Sequence, residues 1–186
     1  MRPEFIITGR RVNLRTMVLS DLDDYRRWDD PEIKAWYFDG PWYGQRAVPS
    51  ERARKRFEEH QKPPYTCLEI ETSEGAHIGF VIVHHREVDP HMTEVGIDII
   101  DEGHWNRGLG TEALSLWIDY LFKEWKFTRI GFSTWSGNPR MIAVGSKLGF
   151  VREACIRNGC CVEGKFYDRI KMGVLRSEWE RQKPPD

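Results

Sequence analysis

Cysteine is scarce in this sequence, and its few copies do not cluster: Cys67, Cys155, Cys160 and Cys161 are four in 186 residues and stand at no metal-ligand spacing. They fit a reducing compartment, and a cytoplasmic location is expected. Long apolar runs are lacking as well. No stretch approaches the roughly 18 apolar residues that span a bilayer, and the first residues carry no apolar core of a signal peptide, so no membrane partner is expected. Neither sign of charge is in excess, with 28 Lys and Arg against 29 Asp and Glu, which excludes a broad electrostatic footprint for nucleic acid. A polyphosphate partner must then be bound locally. Repeats and low-complexity segments are also missing. What is present, 40% hydrophobic and 31% charged residues, suits one globular core, read here as a single domain over residues 1–186.

Periodicity orders the chain. Phe5 to Arg15 reads as a strand, and Ser20-Asp21 opens a short helix to Trp28. After a break at Asp29-Asp30-Pro31 comes an irregular, aromatic-rich connection, Trp36 to Pro49, holding Trp36, Tyr37, Phe38, Trp42 and Tyr43. These rings either form a lid over a site or pack a helical layer on a sheet. Ser50 caps a charged helix to about His60. Tyr65 to Glu71 and His77 to His85 read as strands joined at Ser73-Glu74-Gly75. In the strand Thr93 to Ile100, Val95, Ile97 and Ile99 share one face while Glu94, Gly96 and Asp98 share the other. Leu109, Ala113, Leu116, Trp117, Tyr120 and Leu121 make an apolar helical stripe. Arg129 to Trp135 is a strand, Pro139 to Gly149 a helix, and Phe150 to Ile156 with Lys165 to Leu175 a terminal hairpin whose turn includes Cys160-Cys161. The pattern predicts a mixed α/β (α+β) fold, a mostly antiparallel sheet with helices on both faces.

The chemically informative segment is Trp105-Asn106-Arg107-Gly108-Leu109-Gly110-Thr111-Glu112-Ala113, between a strand and an amphipathic helix. A helix start has amides without partners and partial positive charge, so main chain can bind a phosphate there. Glycine at 108 and 110 lets the ligand approach, and Arg107 adds a full charge. A nucleoside-triphosphate loop is excluded, because Leu109-Gly110 stands where Lys and then Ser or Thr must be. A dinucleotide loop fits poorly: about seven residues separate strand from first glycine, and Arg129 to Trp135 does not end in an acidic residue.

The segment resembles the pyrophosphate loop of the GCN5-related N-acetyltransferases (GNAT), and in Trp105 through Ala113 the RimJ/RimL-type branch. Asn138, with Lys147-Leu148-Gly149-Phe150-Val151-Arg152-Glu153, is similar to the family's next segment. The opening Gly9 to Arg15 and the closing Asp168 to Leu175 look like the branch too, so the resemblance covers about residues 5–180.

That resemblance implies a twisted sheet in which the strands Thr93 to Ile100 and Arg129 to Trp135 form a splayed parallel pair holding the pantetheine arm of acetyl-CoA. Trp105, Asn106, Arg107, Gly108, Leu109, Gly110 and Thr111 would carry the pyrophosphate, with Asn138 and Lys147 as further contacts. A backbone N–H near Ile99 or Ile100 would polarise the thioester. Glu94 would be the general base, acting through a water on an amine acceptor; the alternative is that Glu94 only pairs with a cation or faces solvent. Trp36, Tyr37 and Trp42 would wall the acceptor. Gly145 stands where many relatives have a tyrosine acid and Met141 where the branch has a serine, so no acid is assigned. No metal is expected. Adjacent His84 and His85 in a strand point to opposite faces and cannot share one ion. A homodimer is compatible with the family. A competing function is a non-catalytic acyl-CoA-binding sensor module with the same fold.

Overall fold

Alternating apolar residues set eight strands, which a computed structural model arranges in one sheet in the order β1-β2-β3-β4-β5-β6-β8-β7. The structure describes residues 3–38, 40, 50–59, 62–84 and 90–182. The strands are β1 Phe5–Thr8, β2 Val12–Arg15, β3 Cys67–Thr72, β4 His77–His84, β5 Met92–Ile99, β6 Arg129–Trp135, β7 Val151–Val162 and β8 Lys165–Leu175. The helices are α1 Asp21–Trp28, α2 Lys34–Phe38, α3 Ser50–Glu59, α4 Leu109–Glu124, α5 Pro139–Lys147 and α6 Arg176–Arg181. β5 and β6 pair in parallel, whereas β1 with β2, β2 with β3, β3 with β4, β6 with β8 and β7 with β8 are antiparallel. The expected mixed class is therefore the observed one. No helix among the described residues is long and apolar enough to cross a membrane.

Packing divides the chain into two compact units, Met1–Ile82 with Ile97–Trp117, and Val83–Gly96 with Ile118–Asp186. In the first, the expected strand Phe5 to Arg15 is a hairpin, because the Gly9 amide bonds the Val12 carbonyl at 3.0 Å and turns the chain at Arg10-Arg11. Met17, Leu22, Tyr25, Trp28, Ala35, Trp36, Ala53, Cys67, Phe80 and Ile100 form its core cluster. Gly79 is required by close approach: a Cβ there would lie 1.8 Å from the Asp98 carbonyl oxygen. The irregular connection expected from Trp36 begins inside a short helix, α2; Trp42 and Tyr43 lie outside the described residues.

In the second unit, β6 has the predicted bounds, and its Ile130 and Phe132 are buried with Met172 and Val174 of β8. Asn138 caps α5, its Oδ1 accepting from the Met141 amide at 3.1 Å, with Pro139 in the first turn. β7 runs through Val162, six residues past the expected end, so Cys160 and Cys161 are strand residues and the turn is at Glu163-Gly164, both at positive φ. An irregularity between Ile156 and Cys160 holds Asn158-Gly159. α6 was not expected. Its Arg176 caps α4 by donating to the carbonyls of Phe122, Trp125 and Phe127.

Candidate active site

The phosphate-binding reading of residues 105–111 rests on where their peptide groups point. Asn106 and Gly108 are left-handed, with φ of 58° and 79°, and α4 begins at Leu109. The first α4 bond runs from the Glu112 amide to the Gly108 carbonyl at 3.1 Å, so the amides of Leu109, Gly110 and Thr111 precede any intrahelical acceptor. Arg107 is exposed beside them. Trp105 serves as a fastener: its indole N–H donates to the Ile99 carbonyl at 2.6 Å, tying the loop to the end of β5. The Ile100 amide donates to the Ile78 carbonyl at 2.9 Å, so of the two expected thioester donors Ile100 is already committed.

Steric demand separates the two glycines. A Cβ at Gly108 would lie 3.0 Å from Arg11 Nη2 on a backbone that L residues rarely adopt, whereas one at Gly110 would be in ordinary contact with Ile99 and Ile97 at 3.6 and 3.8 Å. Gly108→Ala is expected to weaken acetyl-CoA binding about tenfold and Gly110→Ala by less than about twofold, measured by calorimetric titration. Equal losses would detach loop geometry from binding.

The expected base, Glu94, and the expected cofactor contacts Asn138 and Lys147 lie in the second unit. Pairing of β5 with β6 covers Met92, Thr93 and Glu94, opposite Arg129, Ile130 and Gly131, and stops there although β6 continues to Trp135. Glu94 thus stands at the last paired position. Its carboxylate accepts from Ser133 Oγ at 3.1 and 3.2 Å and from Lys171 Nζ at 3.2 Å. Ser133 is directly opposite Lys171 in the β6–β8 ladder, so three neighbouring strands aim these groups at one face. Arg129 and Glu153 form an ion pair there, over two glycines, Gly131 and Gly173, whose added Cβ atoms would each meet Arg129 Nη2 at 2.6 Å. Asn138 uses its oxygen as the α5 cap, and Lys147 is exposed in the last turn of that helix.

A profile of the acetyltransferase (GNAT) domain matches residues 11–151, about three quarters of the chain. The chain belongs to the GNAT acetyltransferase family. Relatives of this GNAT protein include YdaF of Bacillus subtilis, named as a candidate ribosomal N-acetyltransferase, 29% identical over 110 residues. That match covers 59% of this chain and 60% of YdaF, under two thirds of the relative's length. The N-acetyltransferase p20 of Bacillus licheniformis, uncharacterized, is 26% identical over 177 residues, 91% of this chain and 95% of p20. The YdaF name agrees with the RimJ/RimL-type resemblance. Among solved structures, the spermidine N-acetyltransferase of Vibrio cholerae, in complex with CoA and spermine, superposes with a TM-score of 0.71 over 91% of this chain and 98% of that one, at 19% identity. At that identity it establishes the GNAT fold.

Packing in α5 explains one departure from other GNAT sequences. Gly145 is buried in α5, and a Cβ there would lie 2.5 Å from the Phe132 ring, so Phe132 fills the room a tyrosine acid would need. Trp36 is buried, its indole N–H donating to the Trp28 carbonyl at 2.9 Å, which is the packing alternative for that ring. Tyr37 and Phe38 are half-buried, and Phe38 meets Trp105 edge-on at 5.9 Å, so α2 reaches the loop through Phe38.

Sequence reasoning missed a buried ionic network in this GNAT chain's first unit. Arg15, 2% exposed, grips both oxygens of Asp21 at 2.7 and 2.9 Å and Glu71 at 2.6 Å. His77 bridges Asp24 through Nδ1 at 2.8 Å and Glu69 through Nε2 at 2.9 Å, and the Tyr25 hydroxyl donates to Glu69. Two ionised carboxylates accept only, so both ring nitrogens must donate and His77 is an imidazolium. Burial alone would push its pKa down, but Asp24, Glu69 and Asp21 push it up to about 9. Asp21, Asp24 and His77 are close enough to ligate an ion, yet Arg15 and the imidazolium already occupy their donor atoms. No sequence spacing announces this set, since its members come from α1, β2, β3 and β4.

Proposed function

We propose that the protein is one acetyltransferase domain that transfers an acetyl group from acetyl-CoA to a primary amine by direct attack in a ternary complex. The observation that carries this reading is the start of α4, where three amides without intrahelical acceptors follow a left-handed glycine inside the family-matched span. A diphosphate suits that cradle because the charge it brings is met by main-chain dipoles and Arg107. Acetyl-CoA supplies an activated thioester. The chain's own residues then bind, orient and accept a proton: residues 105–111 hold the diphosphate, Asn138 holds the β6–α5 turn, and the Ile99 amide is the thioester donor.

Glu94 is the base. A lysine-like amine titrates near ~10.4 and an α-amine near ~8, so the attacking amine must lose a proton near neutral pH. A carboxylate with Ser133 and Lys171 fixing its oxygens is oriented for that transfer through a water. No acid is needed for the leaving group, because a thiol titrates near ~8.5. Tyr37, half-buried beside Phe38, would line the acceptor, while Trp36 belongs to the core. Peptide N-termini, polyamines and aminoglycoside-like amines are the acceptor classes. One observation favours the sensor reading instead: Lys171 already gives Glu94 an ion partner. The test is acceptor-dependent transfer at varied concentrations of both substrates. Intersecting initial-velocity lines support direct attack; parallel lines would mean an acetyl-enzyme.

A further inference from the structure

We propose that Arg11 and Glu112 are positioning residues that aim the amides of the diphosphate loop at their ligand, an inference that rests on reading residues 105–111 as that loop. Glu112 lies in the first turn of α4, and one of its oxygens accepts the backbone amides of Arg10 and Arg11, each at 2.7 Å. Its other oxygen accepts Arg11 Nε at 2.8 Å. The same guanidinium continues into the loop: Nη1 donates to the Arg107 carbonyl at 2.7 Å and Nη2 to the Gly108 carbonyl at 3.3 Å.

The consequence follows from the planar trans peptide. A carbonyl and the N–H of the next residue point in opposite directions. Drawing the Arg107 and Gly108 carbonyls onto Arg11 therefore turns the N–H groups of Gly108 and Leu109 away from it, toward the side where a diphosphate binds. Glu112 makes the arrangement rigid by fixing the β1–β2 turn to α4, so Arg11 is held at both its backbone and its side chain. Burial opposes the charge on Glu112, but the N–H groups of Arg11, Arg10 and Val12 outweigh it and hold the carboxyl below its usual range. Each of Arg11's three guanidinium nitrogens donates within the protein, two of them to carbonyls of the loop, so the residue acts on the loop through its backbone.

The planar fork is what the geometry uses. Lysine keeps the charge but cannot reach Glu112 and two carbonyls at once. The experiment compares acetyl-CoA with acetyl-pantetheine, which lacks the diphosphate, as donors for the wild type, Arg11→Lys and Glu112→Gln, reading kcat and KM for each and the melting temperature of each variant. The expected result is that the wild-type preference for acetyl-CoA shrinks about tenfold in both variants, through KM for acetyl-CoA, while KM for acetyl-pantetheine holds. An unchanged preference in both variants overturns the proposal, as does an equal loss with both donors, which would mark a merely structural pair. A wild type that shows no preference for acetyl-CoA would instead remove the underlying reading of the loop.

Discussion

Glu94→Gln will lower kcat about a hundredfold while leaving acetyl-CoA affinity within about twofold. The amide keeps the shape and can still accept from Ser133 Oγ, but it cannot take a proton from the attacking amine. Lys171 then loses a charged partner, and because its side chain is 45% exposed, water compensates at little cost in stability. Stopped-flow release of the thiol, paired with calorimetric titration of acetyl-CoA, separates the two quantities. Equal loss of turnover and donor affinity would show that Glu94 supports binding and is not the base. An unchanged turnover would leave it as a partner of Lys171.

The second large effect is on stability against pH. His77 has a folded pKa of about 9 against 6.5 unfolded, so its ionic contribution is complete below about pH 6.5 and disappears as pH rises through 9. The gap corresponds to about 3 kcal/mol. Asp24 acts in the opposite sense and in another window: burial raises its pKa, but the bond and charge of His77 together with the charges of Arg27 and Arg15 bring it below its ordinary value, so its contribution is lost only as pH falls through its depressed folded pKa, in acid. Urea midpoints of the wild type should therefore fall from pH 6.5 to about 9.5 by an amount that His77→Gln, which has no such charge to lose, does not show. Parallel pH profiles for the two proteins would mean that His77 is neutral in the fold, and one of its two carboxylate bonds would be wrong.

What was legible in the sequence depended on how local the cause was. The stretch from β5 through α5 could be read because alternation gives way to helical spacing there, and because glycine, proline and asparagine stand at its corners. β6 came out with its observed ends for that reason. The start of α4 at Leu109 was legible too, since glycines precede an apolar helical stripe there. By contrast, β7 was cut short at Ile156 because Asn158-Gly159 imitates a hairpin turn, whereas the strand absorbs it as an irregularity and continues to Val162. α6 has six residues and a single buried anchor, Trp179, too little for periodicity to register. The Arg11–Glu112 contact joins residues 101 apart, and His77 meets an aspartate 53 residues away. Ionic partners chosen by tertiary proximity leave no local signature.

The same distinction governs the site. Gly108 could be singled out from its motif, but only the three-dimensional arrangement shows its left-handed backbone and the bond from the Arg11 guanidinium to its carbonyl. Trp105, expected as a ligand contact, acts at least as a tie to Ile99 through a bond that sequence could not specify.

The central claim is most directly tested by incubating the purified protein with acetyl-CoA and a panel of peptide N-termini, polyamines and other primary amines, following thiol release and the mass of the amine together. The account predicts thiol release that depends on the acceptor and matches, mole for mole, the gain of one acetyl group on a nitrogen. Acetyl-CoA that binds and survives unchanged beside every amine in the panel would contradict it.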